Sequence, residues 1–294
     1  CPRFADIRLF RYEENTDYIV GQQFAAVTFR FHNPGPKIVI AFRGTDNSVV
    51  GWKEDFRLAY KQQIPAQQSA LRYLQRTIGL LSARFILCGH SKGGNLALYA
   101  GAHLNGLRQL KLKKIINFDG PGFDFSIVRK DPFERYEQKI INYVPEESMV
   151  GILLDSVGER KVVSSSARFF LQHDAFNWAV EHDSFAPGSL SNNAITLERS
   201  LKSWLSQISI SDREICLEAL FEMLGAADEA TISLDPQESL QILKNIMKNY
   251  AELDKETKAV LTEVFESLSA EAKTILSKSI KERLPKIPFV DTKA

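Results

Sequence analysis

Apolar positions change their spacing along the chain, and the changes mark out elements. Phe24–Phe31 is a run of aromatic and β-branched residues, the composition of a strand, and Lys37–Phe42 reads as a second. His32-Asn33-Pro34-Gly35-Pro36 between them is turn chemistry, so the pair predicts a hairpin with a five-residue loop. Ala66, Ala70, Leu74, Ile78 and Leu81 then recur at helical spacing. Arg84–Cys88 is a short apolar strand, Gly89 through Gly94 a turn, and Asn95–Leu104 a helix rich in Ala and Leu. Lys114–Phe118 and Lys139–Val144 predict two further strands with an irregular Gly120-Pro121-Gly122 loop between them, and Lys161–Val163 a short last one. Short apolar strands alternating with helices imply an α/β fold, a mostly parallel sheet with helices on both faces.

From Ser211 onward the pattern is helical. Asp212–Leu224, Pro236–Leu253, Glu256–Leu268 and Glu271–Leu284 are four amphipathic segments, several opened by Ser or Asp at the N-cap position or Pro at the first turn. Composition shifts at the same place. Residues 209–294 carry 11 Lys/Arg against 16 Asp/Glu and a single glycine, Gly225, whereas residues 1–208 carry 26 against 20. The sequence therefore divides into an α/β domain, 1–208, and a helical C-terminal module, 209–294. The linker Ser206–Ser211 is short and holds Ile208 and Ile210 rather than Gly or Pro. Leu217, Leu220, Phe221, Leu224, Leu240, Leu243 and Ile246 need burial, so the module is expected to dock on the first domain.

The 294 residues are 44% hydrophobic and 25% charged, ordinary globular values that leave no room for a disordered or collagen-like reading. A formal net charge of +1 gives no global attraction to nucleic acid or anionic membrane. No apolar run approaches the ~20 residues of a membrane span. Three cysteines, Cys1, Cys88 and Cys216, form no metal or redox spacing and suit a reducing, cytoplasmic compartment. No signal peptide is visible, and the start at Cys1 leaves the natural N-terminus open. No zinc spacing, phosphate-binding glycine loop or basic–aromatic stripe is present, so no cofactor, metal or nucleic-acid partner is expected.

The sharpest chemical signal is Gly89-His90-Ser91-Lys92-Gly93, a G-x-S-x-G. It follows an apolar strand and opens a helix. That setting holds a serine on a tight turn with its hydroxyl exposed, and the helix N-terminus aims N–H groups where an oxyanion forms. A serine needs a base. Of five histidines, His173 and His182 follow the last strand, where the order Ser…acid…His wants the base. The orienting acid is open between two strand ends, Asp119 and the Glu146–Glu147 pair. Lys92 puts a cation near a helix N-terminus, against the dipole, so a partner is expected: Glu54 or Asp55, or an anionic group of a substrate.

Ala41-Phe42-Arg43-Gly44-Thr45, Gly51-Trp52-Lys53-Glu54-Asp55 and the Gly89–Gly94 turn together resemble the class 3 lipases and the wider lipase-like α/β-hydrolases. With Gln23-Phe24-Ala25-Ala26, Phe118-Asp119-Gly120-Pro121-Gly122 and Gln172-His173-Asp174, the chain resembles more closely a bacterial lipase-like domain family of unknown function, over about residues 15–210. The resemblance implies Ser91 as nucleophile and His173, in the Gln-His-Asp motif, as base. It implies the backbone N–H groups of Thr45 and Lys92 as the oxyanion hole. Pancreatic-type lipases carry an Asp-Pro loop similar to Asp119-Gly120-Pro121, which favours Asp119, with Glu147 in reserve, where class 3 lipases keep an Asp. Aromatic residues Phe123, Phe125, Phe169, Phe170, Phe176 and Trp178 surround the site loops as a candidate acyl pocket. The expected activity is serine-dependent hydrolysis of a lipid-like or small acyl ester. A thioesterase or peptidase using the same groups is an alternative, as is a non-catalytic hydrolase-fold protein whose helical tail binds a partner.

Overall fold

The computed structural model describes residues 5, 7–31, 37–46, 48–79, 83–223, 250, 253–263 and 266. A seven-stranded sheet runs in strict chain order: β1 (Arg8–Asp17), β2 (Gln22–Phe31), β3 (Lys37–Phe42), β4 (Phe85–His90), β5 (Leu112–Phe118), β6 (Ile140–Pro145) and β7 (Glu159–Val163). The first three strands are antiparallel, and β3 through β7 are parallel.

Two main crossover helices fill the gaps. α2 (Pro65–Gly79) links β3 to β4, and α3 (Lys92–Ala102) links β4 to β5. Parallel crossovers are right-handed. When each strand is laid beside the previous one in the same direction, that handedness puts successive helices on the same face. Ile38, Ile40, Phe42, Phe85, Leu87 and Ile115 accordingly point at Tyr73, Leu74 and Leu96 and form the main core. Each large side chain fully buried there stabilises by about 1.5–3 kcal/mol. The opposite face, with Val39, Ala41, Ile86, Cys88 and Ile116, is only half-buried, so the covering of the two faces is less even than the sequence suggests.

The pattern missed several elements: β1 and α1, and later in the chain the helix Asn192–Gln207 among others. β1 is an edge strand whose Arg, Glu and Asn positions are mostly exposed, so it carries little apolar signal. α1 (Val49–Phe56), capped by Ser48 accepting from the Gly51 N–H at 3.2 Å, is a short helix between β3 and α2. α3 also starts at Lys92, three residues before the helix read from composition, with Gly93 and Gly94 inside it. After β7 come a small hairpin, β8 (Val180–Glu181) and β9 (Ser184–Phe185), then α5 (Asn192–Gln207) and α6 (Ile210–Met223); α4 (Asp131–Glu134) is one turn before β6. Residues 255–263 are helical, and Leu253 and Leu261 pack with Cys216 and Ala219 of α6. The His32–Pro36 loop, Leu224, Leu240, Leu243, Ile246 and the segments 236–249 and 271–284 lie outside the described residues. Among the described residues no helix is long and apolar enough to cross a membrane, and no His, Cys, Asp and Glu group could hold a metal ion.

Candidate active site

Ser91 sits between the end of β4 and the first residue of α3, with φ 55° and ψ −132°. A non-glycine residue held there stores about 1–3 kcal/mol of strain. The turn is enforced by its neighbours. A Cβ on Gly93 would meet the Phe42 carbonyl oxygen at 2.1 Å, and one on Gly89 would meet the Gly93 backbone at 2.1 Å. Only glycine lets strand and helix approach this closely. The Ser91 N–H donates to the Phe118 carbonyl at 3.0 Å, which ties the turn to β5.

His173 ends a 3-10 turn, Phe169–His173. Its Nδ1–H donates to Asp119 Oδ2 at 2.7 Å. Asp119 follows β5, is fully buried, and its other oxygen accepts from Ser148 Oγ at 2.5 Å and the Gly151 N–H at 3.1 Å. With Nδ1 carrying the proton, Nε2 of a neutral His173 is left as an acceptor. Glu147, the other carboxylate the sequence left open, is engaged elsewhere. Its Oε2 accepts from the Phe169 N–H at 2.7 Å and Gln172 Nε2 at 3.3 Å, while its own N–H donates to Gln172 Oε1 at 2.9 Å. It clamps the turn that carries His173 and makes no bond to the ring, because the loop after β6 turns it towards Gln172.

A second contact on this turn was not foreseen. His90 Nε2–H donates to the His173 carbonyl at 2.6 Å, and the two rings lie 4.6 Å apart. Burial, and then the adjacent His173, push the His90 pKa down. The sequence offers no signal for the pairing, since the position next to a nucleophile points its side chain away from it. The other histidines stand apart. His103 stacks on Tyr99, and His182 is exposed in the turn of the β8–β9 hairpin.

Thr45 follows β3. Its hydroxyl donates to Asp55 Oδ2. Lys92 turns its side chain into the core, where it is fully buried. Its ammonium donates to the Gln23 carbonyl at 2.9 Å, Gln23 Oε1 at 2.6 Å and Glu54 Oε2 at 3.1 Å, with Asp55 Oδ1 at 3.7 Å. Glu54 also accepts from the N–H groups of Gln23 and Ala66. Two carboxylates thus share one ammonium. Burial, only partly offset by Lys92, raises the Asp55 pKa to about 6. The cation that looked anomalous in the sequence is neutralised by Glu54 and Asp55.

Thr45, His90, Ser91, Lys92 and His173 all line one cavity of about 500 Å³. Apart from Asp55 and Arg213 its remaining wall is apolar, and it comes from α1, the loops after β5 and β6, α5 and α6. Of the six aromatic residues singled out in the sequence, Phe170 lines it. Phe123 and Phe125 pack on Phe133, Trp178 packs on Phe118 and Phe185, and Phe176 and Phe169 are exposed.

A family model described as Mbeg1-like matches residues 1–222, three quarters of the chain. The protein belongs to the Mbeg1-like family. No curated protein matches it. Among solved structures, the Mbeg1-like chain is similar to a fungal lipase in complex with an inhibitor, at 16% identity and a TM-score of 0.40 over 56% of this chain and 68% of that one. It is similar to the native Rhizomucor miehei lipase propeptide complex at 17% identity and a TM-score of 0.37, over 66% and 67% of the two chains. M37 lipase follows at 16% identity and a TM-score of 0.36, over 50% of this chain and 55% of that one.

In this Mbeg1-like protein a strained serine, a histidine whose Nδ1 is held by a buried carboxylate, and a helix N-terminus open on one apolar cavity. Such a set can transfer a proton from a hydroxyl, hold a developing oxyanion and exclude bulk water.

Proposed function

We propose that this Mbeg1-like protein is a serine hydrolase that cleaves a carboxylic ester, lipase- or esterase-like. Ser91 Oγ attacks the acyl carbon while His173 Nε2 takes its proton. The N–H groups of Thr45 and Lys92 hold the oxyanion. His173 then protonates the leaving alcohol, and water, activated by the same histidine, releases the acid. Asp119 keeps His173 in the tautomer this needs and stabilises the imidazolium. The observation that carries the reading is the Asp119–His173 bond at 2.7 Å together with Ser91 in its strained turn, both Ser91 and His173 lining one cavity. The test is covalent labelling by a fluorophosphonate. The wild-type chain should label and turn over a soluble acyl ester, and Ser91→Ala should lose both while keeping its circular dichroism spectrum. Undiminished turnover in Ser91→Ala would refute the mechanism. A well-folded wild type that neither labels nor turns over any ester would favour a binding protein on a hydrolase fold.

A further inference from the structure

We infer that the substrate's acyl part is an aliphatic chain laid against α5 and α6, and that these C-terminal helices set the chain length accepted. The fate of the chain rests on the hydrolase reading above; its binding does not.

The lining of the cavity decides the class of ligand. Its polar members are the site groups, Lys92, Asp55 and Arg213. Lys92 is held by Gln23 and Glu54; Asp55 is held by Thr45 through Oδ2, and among the described residues its Oδ1 has only the Lys92 charge at 3.7 Å. Arg213 is buried and engaged through its two terminal nitrogens: Nη1 donates to Asp124 Oδ2 at 2.6 Å and the Ala59 carbonyl at 3.0 Å, and Nη2 donates to the Leu205 carbonyl, while Nε has no hydrogen-bond partner among the described residues. The rest is aliphatic or aromatic, with Trp204, Leu205 and Ile208 from α5 and its end and Leu217 from α6 forming one side. A peptide, with an N–H and a C=O per residue, would leave buried polar groups unpaired at about 1–3 kcal/mol each. A hydrocarbon chain meets no such penalty and gains by burial. A volume of about 500 Å³ suits a ligand of this kind.

The wall is fastened from both ends, so it acts as a fixed gauge. On α6, Glu218 accepts from Lys53 at 2.6 Å and from Tyr60 at 2.8 Å, and Arg213 reaches Asp124. On α5, Lys202 pairs with Asp155 at 2.9 Å and Glu198 takes Arg160 through both oxygens. Phe56 of α1 and Phe221 of α6 meet edge to face at 5.5 Å.

Two measurements on the full chain test this. The first needs no turnover. Of the three tryptophans, Trp52 and Trp204 line the cavity and Trp178 does not. In Ser91→Ala, a medium-chain fatty acid brominated near its end should quench tryptophan fluorescence by heavy-atom contact, and Trp204→Phe should remove a large part of that quenching. The second reads kcat/KM across a series of straight-chain acyl esters. Leu217→Trp should move the optimum to shorter chains, with about a fourfold loss for each methylene no longer buried. Leu217→Ala should move it the other way, so a misfolded Trp variant does not end the test. No quenching, quenching indifferent to Trp204, or a chain-length profile unmoved by either Leu217 variant overturns the inference. Quenching that depends on Trp204 in a protein that never labels at Ser91 would leave the chain site standing and remove the hydrolase reading instead.

Discussion

Single residues carry the sharpest expectations. Asp119 and Glu147 lie in loops after neighbouring strands, and only Asp119 bonds the His173 ring. Asp119→Asn should lower kcat by about 10⁴-fold, the scale for losing the correct tautomer. Glu147→Gln, which can still accept the Phe169 N–H, should cost far less, and steady-state kinetics of the pair separate them. Lys92 makes a different prediction. Lys92→Leu leaves Glu54 and Asp55 buried without their cation, which should destabilise by about 3–5 kcal/mol in urea unfolding. Asp55 adds a pH dependence. Its folded pKa of about 6 lies above its ordinary value of 3.8, so the folded state binds more protons between those limits. Stability from this group is therefore greatest below pH ~4 and falls as pH rises to ~6, by up to about 3 kcal/mol. Urea midpoints in wild type should show that slope and Asp55→Asn should lack it; equal slopes would show that Asp55 is ionised throughout.

Elements show why some of this was legible in the sequence and some was not. β2 through β6 each carry aliphatic or aromatic runs, because strands on both sides of them in the sheet bury them, and the sequence reading found these, and the short edge strand β7, to within a few residues. β1 pairs on one side only and faces water, so nothing obliged its residues to be apolar. α1 is legible only as the Gly51–Asp55 motif, since its residues answer to Lys92 and Thr45 rather than to a helical stripe. At the elbow, glycines read as a turn are the start of α3, because backbone proximity overrides their poor helix propensity. The elbow itself can be tested. Gly93→Ala drives a methyl into the Phe42 carbonyl and should cost about 3 kcal/mol or abolish folding. Gly106→Ala is the control. Its φ is +71° but no atom lies within 4 Å of the new Cβ, so only the local backbone cost of about 1 kcal/mol should appear.

At the scale of the whole molecule the question is whether the division at 208/209 separates two independent bodies. It falls in the Ile208-Ser209 connection between α5 and α6, and the family match runs past it to residue 222. Charge opposes an independent tail: residues 209–294 carry the excess of acid and residues 1–208 the excess of base. Exposed charges alone would be screened beyond ~10 Å at ordinary salt, so packing has to do most of the holding. α6 supplies both. Phe221 and Cys216 are buried, Leu217 lines the cavity, and Glu214 and Glu218 meet Lys61, Lys53 and Tyr60. Burial alone would raise the Glu218 pKa, but the hydrogen bonds from Lys53 and Tyr60 and the charges of Lys53 and Arg57 hold it below the ordinary 4.5. Asp124 is likewise held down, against burial, by Ser126 and Arg213. A lowered carboxylate stabilises above its unfolded pKa and loses that contribution as pH falls through the folded one. The latch should therefore be intact at neutral pH and weaken below pH ~4. Limited proteolysis reads this directly. At neutral pH the connection around residues 206–212 should resist cleavage, Glu218→Gln should cleave faster, and an acid-active protease below pH ~4 should cut it readily in wild type. Rapid neutral cleavage that releases a core with unchanged stability and unchanged chain-length preference would show that the tail is an independent module and forms no part of the cavity.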